Sequence, residues 1–173
     1  MIMNKAVFLD RDGTINVDYG YVYRPQDFHF IDGVIDGLSI LQDLGYLLIV
    51  ITNQSGVGRG YYSEKEMKRC LQYMEDQLAL YDILIQKTYY CPHYKQNCLC
   101  RKPKTKLFEE AIDDFNIDCT QSYAIGDKLR DLSICEKKPV TGILLTEDSK
   151  IHSSYVKKKN LLEAARYIQA SHS

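Results

Sequence analysis

The chain has 173 residues, enough for one domain that hides about two thirds of its unfolded surface. A hydrophobic fraction of 45% and a charged fraction of 26% exclude a disordered or fibrous protein, and a formal net charge of −1 argues against a dedicated nucleic-acid binder, which needs surplus Lys and Arg against phosphate. No stretch approaches the roughly 18 apolar residues of a membrane span, and the apolar start at residues 6–9 is too short for a signal-peptide core, so a cytoplasmic protein with a small-molecule partner is expected.

Residues 5–9 read as a short buried strand. Residues 33–44 carry Val34, Leu38 and Leu41 on one helical face before a stop at Gly45, and the near-continuous apolar run 46–51 is the next strand. Ser63 with Glu66 forms a capping-box signature that opens a helix to about residue 80. A β-rich run follows at 85–90, then a helix at 105–115, a strand at 122–125 ending in Gly126-Asp127, and a short helix at 128–136. A fifth strand at 140–145 and a helix at 160–170 complete the pattern. Residues 157–159, three lysines in a row, read as a solvated face.

Strands that alternate with helices and are apolar throughout, rather than at every second residue, indicate a parallel sheet covered on both faces. The expected fold class is therefore α/β, a doubly wound Rossmann-like sheet, with residues 1–173 as a single domain. Ligands of such sheets bind beyond the carboxyl ends of the strands. That rule makes suspects of Asp10 and Asp12, Thr52 and Asn53, and Asp127.

"FLDRDGTI", residues 8–15, puts Asp10 and Asp12 on one side of an extended segment. Two close carboxylates repel unless a cation lies between them or one keeps a proton, and Mg²⁺, which takes one or two carboxylates plus substrate phosphate, suits Asp10 with Asp127. The alternative is a simple Asp-Gly turn. "ITNQSGVGRG", residues 51–60, offers the Thr52 and Ser55 hydroxyls, the Asn53 amide and glycine-freed main-chain N–H groups suited to phosphate oxygens, although a bland glycine-rich connection has the same composition. In "CRKPK", residues 100–104, Lys102 can pair with a phosphate and a nucleophilic carboxylate together, and Arg101 can hold phosphate in a fork; adjacent basic residues are also common on solvated surfaces. "IGDKLRD", residues 125–131, places Asp131 one helical turn after Asp127.

Three of the six cysteines fall within ten residues. "CPHYKQNCLC", residues 91–100, supplies Cys91, His93, Cys98 and Cys100, a donor set for a closed, structural tetrahedral Zn²⁺ site, whereas a disulfide within Cys-x-Cys would be strained. Such a loop would present Arg101 and Lys102 from a fixed base.

Taken together, these segments resemble the haloacid dehalogenase superfamily of phosphohydrolases: Asp10, Asp12 and Gly13-Thr14 as its first motif, Thr52 as its second, Lys102 as its third, and Asp127 with Asp131 as its fourth. The resemblance implies that Asp10 forms an aspartyl-phosphate, that Asp12 is the acid and then the base, and that Thr52 and Lys102 hold phosphoryl oxygens. It also implies Mg²⁺ bound by Asp10, the Asp12 carbonyl and Asp127. The Cys-x-His…Cys-x-Cys loop before Arg-Lys-Pro resembles the branch holding the heptose 1,7-bisphosphate and histidinol-phosphate phosphatases. That branch implies sugar contacts from Asp18, Tyr19, Gly20 and Tyr21, and substrate contacts from Asn53, Gln54, Ser55, Arg101 and Lys128. The favoured activity is removal of the C7 phosphate in lipopolysaccharide precursor synthesis, with histidinol phosphate as the alternative substrate. The chain has no room for a cap domain, and a monomer acting on a small phosphorylated sugar, with neither nucleic acid nor membrane as partner, is expected. In a receiver-like signalling domain, the competing class, the phosphorylated Asp ends a middle strand and no zinc loop occurs.

Overall fold

In the structure, a computed structural model, residues 2–95 and 97–172 are described. Met1 and Ser173 of the expected domain span, and Gln96 of the expected zinc loop, lie outside the described residues. β1 (Ala6–Leu9), β2 (Leu47–Asn53), β3 (Ile85–Cys91), β4 (Tyr123–Gly126), β5 (Thr141–Leu145) and β6 (Val156–Lys158) form one sheet in the order β3-β2-β1-β4-β5-β6. Every pairing is parallel. The unbroken apolar runs follow from this arrangement, because successive residues of a strand serve two different cores. Val7 and Leu9 face one side with Leu48 and Val50, while Ala6 and Phe8 face the other with Ile49 and Ile51.

On the first face lie α1 (Val34–Asp43), α2 (Glu64–Ala79) and α4 (Leu161–Ala170), through Leu38, Leu41, Met67, Met74, Leu161 and Ile168. On the second lie α3 (Lys106–Phe115) and a 3₁₀ helix at Leu129–Glu136, through Phe108, Ala111, Leu132 and Ile134. Each fully buried Leu or Ile in these layers contributes about 1.5–3 kcal/mol of transfer free energy. The capping box of α2 is present in full: Glu66 N–H donates to Ser63 Oγ at 3.1 Å, and Ser63 N–H donates to Glu66 Oε2 at 2.8 Å.

One element goes beyond the expected pattern. Lys157 and Lys158, read as solvated face, belong to β6, which pairs Ile143 with Val156 and Leu145 with Lys158 at the sheet edge. A three-residue edge strand needs only its main chain to pair. Its lysine stems stay half-buried, with Lys158 Nζ 4.7 Å from the Tyr167 ring centroid. Between β1 and α1 the chain carries one 3₁₀ turn at Pro25–Asp27, and among the described residues no inserted cap domain covers the strand ends.

Candidate active site

β1 lies between β2 and β4, so the residues that leave their carboxyl ends converge. Asp10 N–H still donates to Ile125 O at 3.2 Å, holding the first residue past β1 against β4. Carboxylate oxygens of Asp10, Asp127 and Asp131 lie within 4.8 Å of one another. Gly13 makes this approach feasible: its φ is +84°, and a Cβ there would stand 2.3 Å from Asp127 Oδ2. Lys102 arrives from the segment after β3 with its side chain 1% exposed. Its Nζ donates to Asp10 Oδ1 at 2.9 Å, Asp131 Oδ1 at 2.7 Å and Ile51 O at 2.6 Å.

Asn53 fixes that arrival. Its Oδ1 accepts from Lys102 N–H at 3.0 Å, and its Nδ2 donates to Lys102 O at 3.2 Å, so one side chain at the end of β2 clamps both main-chain groups of Lys102. Asp131 is held reciprocally: its N–H donates to Lys128 O at 3.0 Å, and its Oδ2 accepts from Lys128 N–H at 3.0 Å.

The Asp12 carboxylate lies outside this cluster. Its Oδ1 accepts from Arg11 Nη2 at 2.8 Å and Asn16 Nδ2 at 3.0 Å, and its Oδ2 from Gln54 Nε2 at 3.3 Å. That leaves only its main chain for a metal contact. Arg11, fully buried, also donates to Val22 O at 2.6 Å, tying Asp12 to the segment that begins at Asp18. Gln54 donates to Thr52 Oγ1 at 2.9 Å and accepts from Tyr62 OH at 2.9 Å.

Burial pushes the Asp10 carboxyl up to about 7, with the Lys102 ammonium opposing and the Asp131 carboxylate adding to the rise. Burial also raises Asp127, helped by Asp131 and opposed by Lys128. For Lys102, burial works against the charge, but Asp10 and Asp131 outweigh it and its proton is held more tightly than usual. With all three carboxyls ionised, one ammonium would leave two negative charges in this pocket, and the raised Asp10 and Asp127 reflect that repulsion and burial. Asp127 Oδ1 is buried without a hydrogen-bond partner. A divalent oxygen-loving cation fits both the charge and the orphaned oxygen.

A cavity of about 290 Å³ opens over the cluster. The expected residues Asp10, Asp12, Asp18, Gly20, Tyr21, Asn53, Gln54, Ser55, Arg101, Lys102, Asp127 and Lys128 all line it. Thr52 lies just beneath, fully buried. Tyr19 does not join them. It is 62% exposed with its ring 5.9 Å from that of His29, because the left-handed residues Gly20 and Tyr21 turn the chain so that position 19 stands outside. Arg59, Tyr62 and Arg130 line the cavity without having been expected. Arg59 lay in view within the glycine-rich stretch. Tyr62 carried no spacing signal, and Arg130 followed Asp127 closely enough to have been considered.

Beside the cavity, Cys91 Sγ and Cys98 Sγ are 3.8 Å apart, and His93 Nδ1 is 3.4 Å from Cys91 Sγ and 3.3 Å from Cys100 Sγ. All four donor atoms lie within 4.8 Å and no cysteine is in a disulfide. Tetrahedral Zn–S and Zn–N bonds set S–S edges at about 3.8 Å and S–N edges at about 3.5 Å, so the set is nearly at zinc-binding size. Arg101 Nη1 donates to His93 O at 3.1 Å, which ties the loop to the cavity.

The family model of polynucleotide kinase 3 phosphatase matches residues 5–137. A D-glycero-β-D-manno-heptose-1,7-bisphosphate 7-phosphatase of Haemophilus ducreyi is 47% identical, over 91% of this chain and 92% of its own. The chain belongs to the heptose-bisphosphatase family of haloacid dehalogenase-like phosphatases. Within that family, the D-glycero-α-D-manno-heptose-1,7-bisphosphate 7-phosphatase of Campylobacter jejuni is 39% identical, over 95% of this chain and 96% of its own. A D,D-heptose 1,7-bisphosphate phosphatase from B. bronchiseptica, solved with magnesium and phosphate, superposes with a TM-score of 0.88 at 23% identity, covering 96% of this chain and 99% of that one. The fold expected from the family is thus the fold observed. No helix among the described residues is long and apolar enough to cross a membrane.

Proposed function

We propose that this chain is a Mg²⁺-dependent phosphatase that removes the C7 phosphate of D-glycero-β-D-manno-heptose 1,7-bisphosphate, a step toward lipopolysaccharide precursors. The observation that carries the reading is the meeting of Asp10 and Asp127, at the ends of β1 and β4, with Lys102 from the segment after β3, around a buried carboxylate oxygen that has no partner. The β-anomer is favoured because the β-named H. ducreyi relative is more similar than the α-named C. jejuni one.

In this reading Asp10 attacks the phosphoryl group. The P–O7 bond breaks, and Asp12 gives its proton to the departing sugar oxygen. The carboxylate of Asp12 then takes a proton from a water that attacks phosphorus and frees Asp10. Lys102 stays beside the nucleophile and offers its charge to the phosphoryl oxygens, while Thr52, with the main chain of 53–55, holds them from the other side. Asp10, Asp127 and the Asp12 main chain would hold Mg²⁺, which when bound offsets the charge gathered between carboxylates and phosphate. Asp18, Gly20, Tyr21, Gln54, Arg101 and Lys128 contact the sugar phosphate. Cys91, His93, Cys98 and Cys100 bind one structural Zn²⁺, and residues 1–173 act as one monomeric domain.

Phosphate release from both heptose bisphosphate anomers and from histidinol phosphate, with and without chelator, tests the proposal. The β-anomer should turn over fastest, and only with Mg²⁺. Faster release from histidinol phosphate would overturn the substrate, and full activity in chelator would overturn the metal.

A further inference from the structure

The cavity has a cationic rim above its acidic floor. Lys102 is already engaged by Asp10, Asp131 and the Ile51 carbonyl, so positive charge at the mouth comes from Arg59, Arg101, Lys128 and Arg130. Arg59 differs from an ordinary surface arginine. Among the described residues it makes no ion pair with a carboxylate. Its guanidinium carbon lies 3.5 Å from the ring centroid of Tyr94, with the rings of Tyr21 and Tyr61 at 5.7 Å and 5.9 Å. Its Nε is buried with no hydrogen-bond partner.

A guanidinium laid on a phenol ring loses rotamer freedom and part of its hydration, and it presents its edge donors in one plane. An arginine with a purely structural task would be expected to find a carboxylate. This one is packed among three phenol rings, interacts with the Tyr61 side chain, lines the cavity and keeps its buried Nε donor unused. Two loops are pressed together to place it: Gly58 N–H donates to Pro92 O at 2.8 Å, and a Cβ on Gly58 would stand 2.7 Å from Tyr94 N. Tyr94 belongs to the segment that carries Cys91, His93, Cys98 and Cys100, so that segment holds Arg59 by a ring just as it holds Arg101 by the His93 carbonyl.

We propose that Arg59 is a specificity-determining residue that binds the phosphate that is not cleaved, and that Tyr94 is the positioning residue that aims it. The proposal rests on the bisphosphate reading given above. A sugar hydroxyl gains little from a rigid cationic fork, whereas a phosphate dianion accepts two parallel, charge-assisted hydrogen bonds from it. The acidic floor serves the phosphoryl group in transfer; the rim serves its distant twin.

The test compares kcat/KM for heptose 1,7-bisphosphate with that for heptose 7-phosphate, in wild type, Arg59→Gln, Arg59→Lys and Tyr94→Leu, all with Mg²⁺ present and zinc content measured. Wild type should prefer the bisphosphate. Arg59→Gln should cut that preference by about tenfold to a hundredfold, the loss lying in KM rather than kcat. Arg59→Lys should restore part of it, and Tyr94→Leu should lower it with zinc content unchanged. Equal losses on both substrates, or a loss confined to kcat, would overturn the proposal while leaving the bisphosphatase reading intact. A wild type that does not hydrolyse the bisphosphate would overturn both.

Discussion

The carboxylate cluster draws Asp10 from the start of the chain and Asp127 and Asp131 from its last third, whereas the cysteine–histidine cluster takes all four donors from residues 91–100. The first exists because β1 pairs with β4, so its geometry is inherited from the sheet and from the apolar layers on either face. The second lies in a segment with little apolar burial, where cross-linking by a metal would replace the missing core. A site that must stay open to substrate is built on rigid strands, and a site that closes around its ion can build its own support.

That contrast can be broken at either cluster. Asp10→Asn keeps the size of the side chain but removes the proposed nucleophile, and steady-state phosphate release should fall on the order of 10⁴-fold or more. Lys102→Met should cost about 10²–10³-fold in kcat. Because it also leaves Asp10 and Asp131 buried without their cation, urea unfolding should show a loss of about 3–5 kcal/mol. If stability were unchanged, Lys102 would not be the cation that holds Asp10 and Asp131 together in the floor.

At the second cluster, wild type purified without chelator should carry about one Zn²⁺ per chain by elemental analysis, as a closed four-donor site requires. Cys98→Ser should weaken zinc retention about 10–100-fold and lower the melting temperature, with a smaller effect on kcat than either substitution above. Zinc-free wild type of equal stability would remove the distinction between the two regions.

The smallest effect is a pH dependence. The folded, metal-free Asp10 carboxyl titrates at about 7, above its ordinary value of 3.8. The folded state therefore holds a proton that the unfolded chain has lost, and this group's contribution to stability declines as pH rises from about 4 to about 7. Mg²⁺ competes with the same proton, so its apparent affinity should rise about tenfold per pH unit up to about 7 and then level off. Thermal shift titrations with Mg²⁺ at several pH values, set against Asp10→Asn, would show it; an affinity flat between pH 5 and 7 would contradict the raised carboxyl.

The two regions also differ in how much of them could be read from sequence. The cysteine–histidine set is local, so spacing alone picked out the four residues that the fold brings together. Asp10, Thr52 and Asp127 became legible only after the apolar runs had implied a parallel sheet, since that topology alone brings strand ends together. What escaped was set by tertiary packing. The pairing of β6 depends on its main chain and leaves no apolar pattern, and the charge of Lys157 and Lys158 concealed it. Arg11, whose side chain stands between two acidic positions in sequence, turned out to be a buried link from Asp12 to Val22 O. Tyr19 was placed with its neighbours by the resemblance of the whole segment, and the left-handed backbone at Gly20 and Tyr21 separates it from them.

The central claim is that Asp10, seated between Lys102 and Asp127, takes the phosphoryl group covalently. The most direct measurement is to quench the enzyme during turnover of heptose 1,7-bisphosphate, reduce any acyl phosphate with borohydride, and sequence the peptides by mass spectrometry. The account predicts homoserine at position 10 in wild type and none in Asp10→Asn. Homoserine at another aspartate, or efficient turnover with position 10 unmodified, would contradict it.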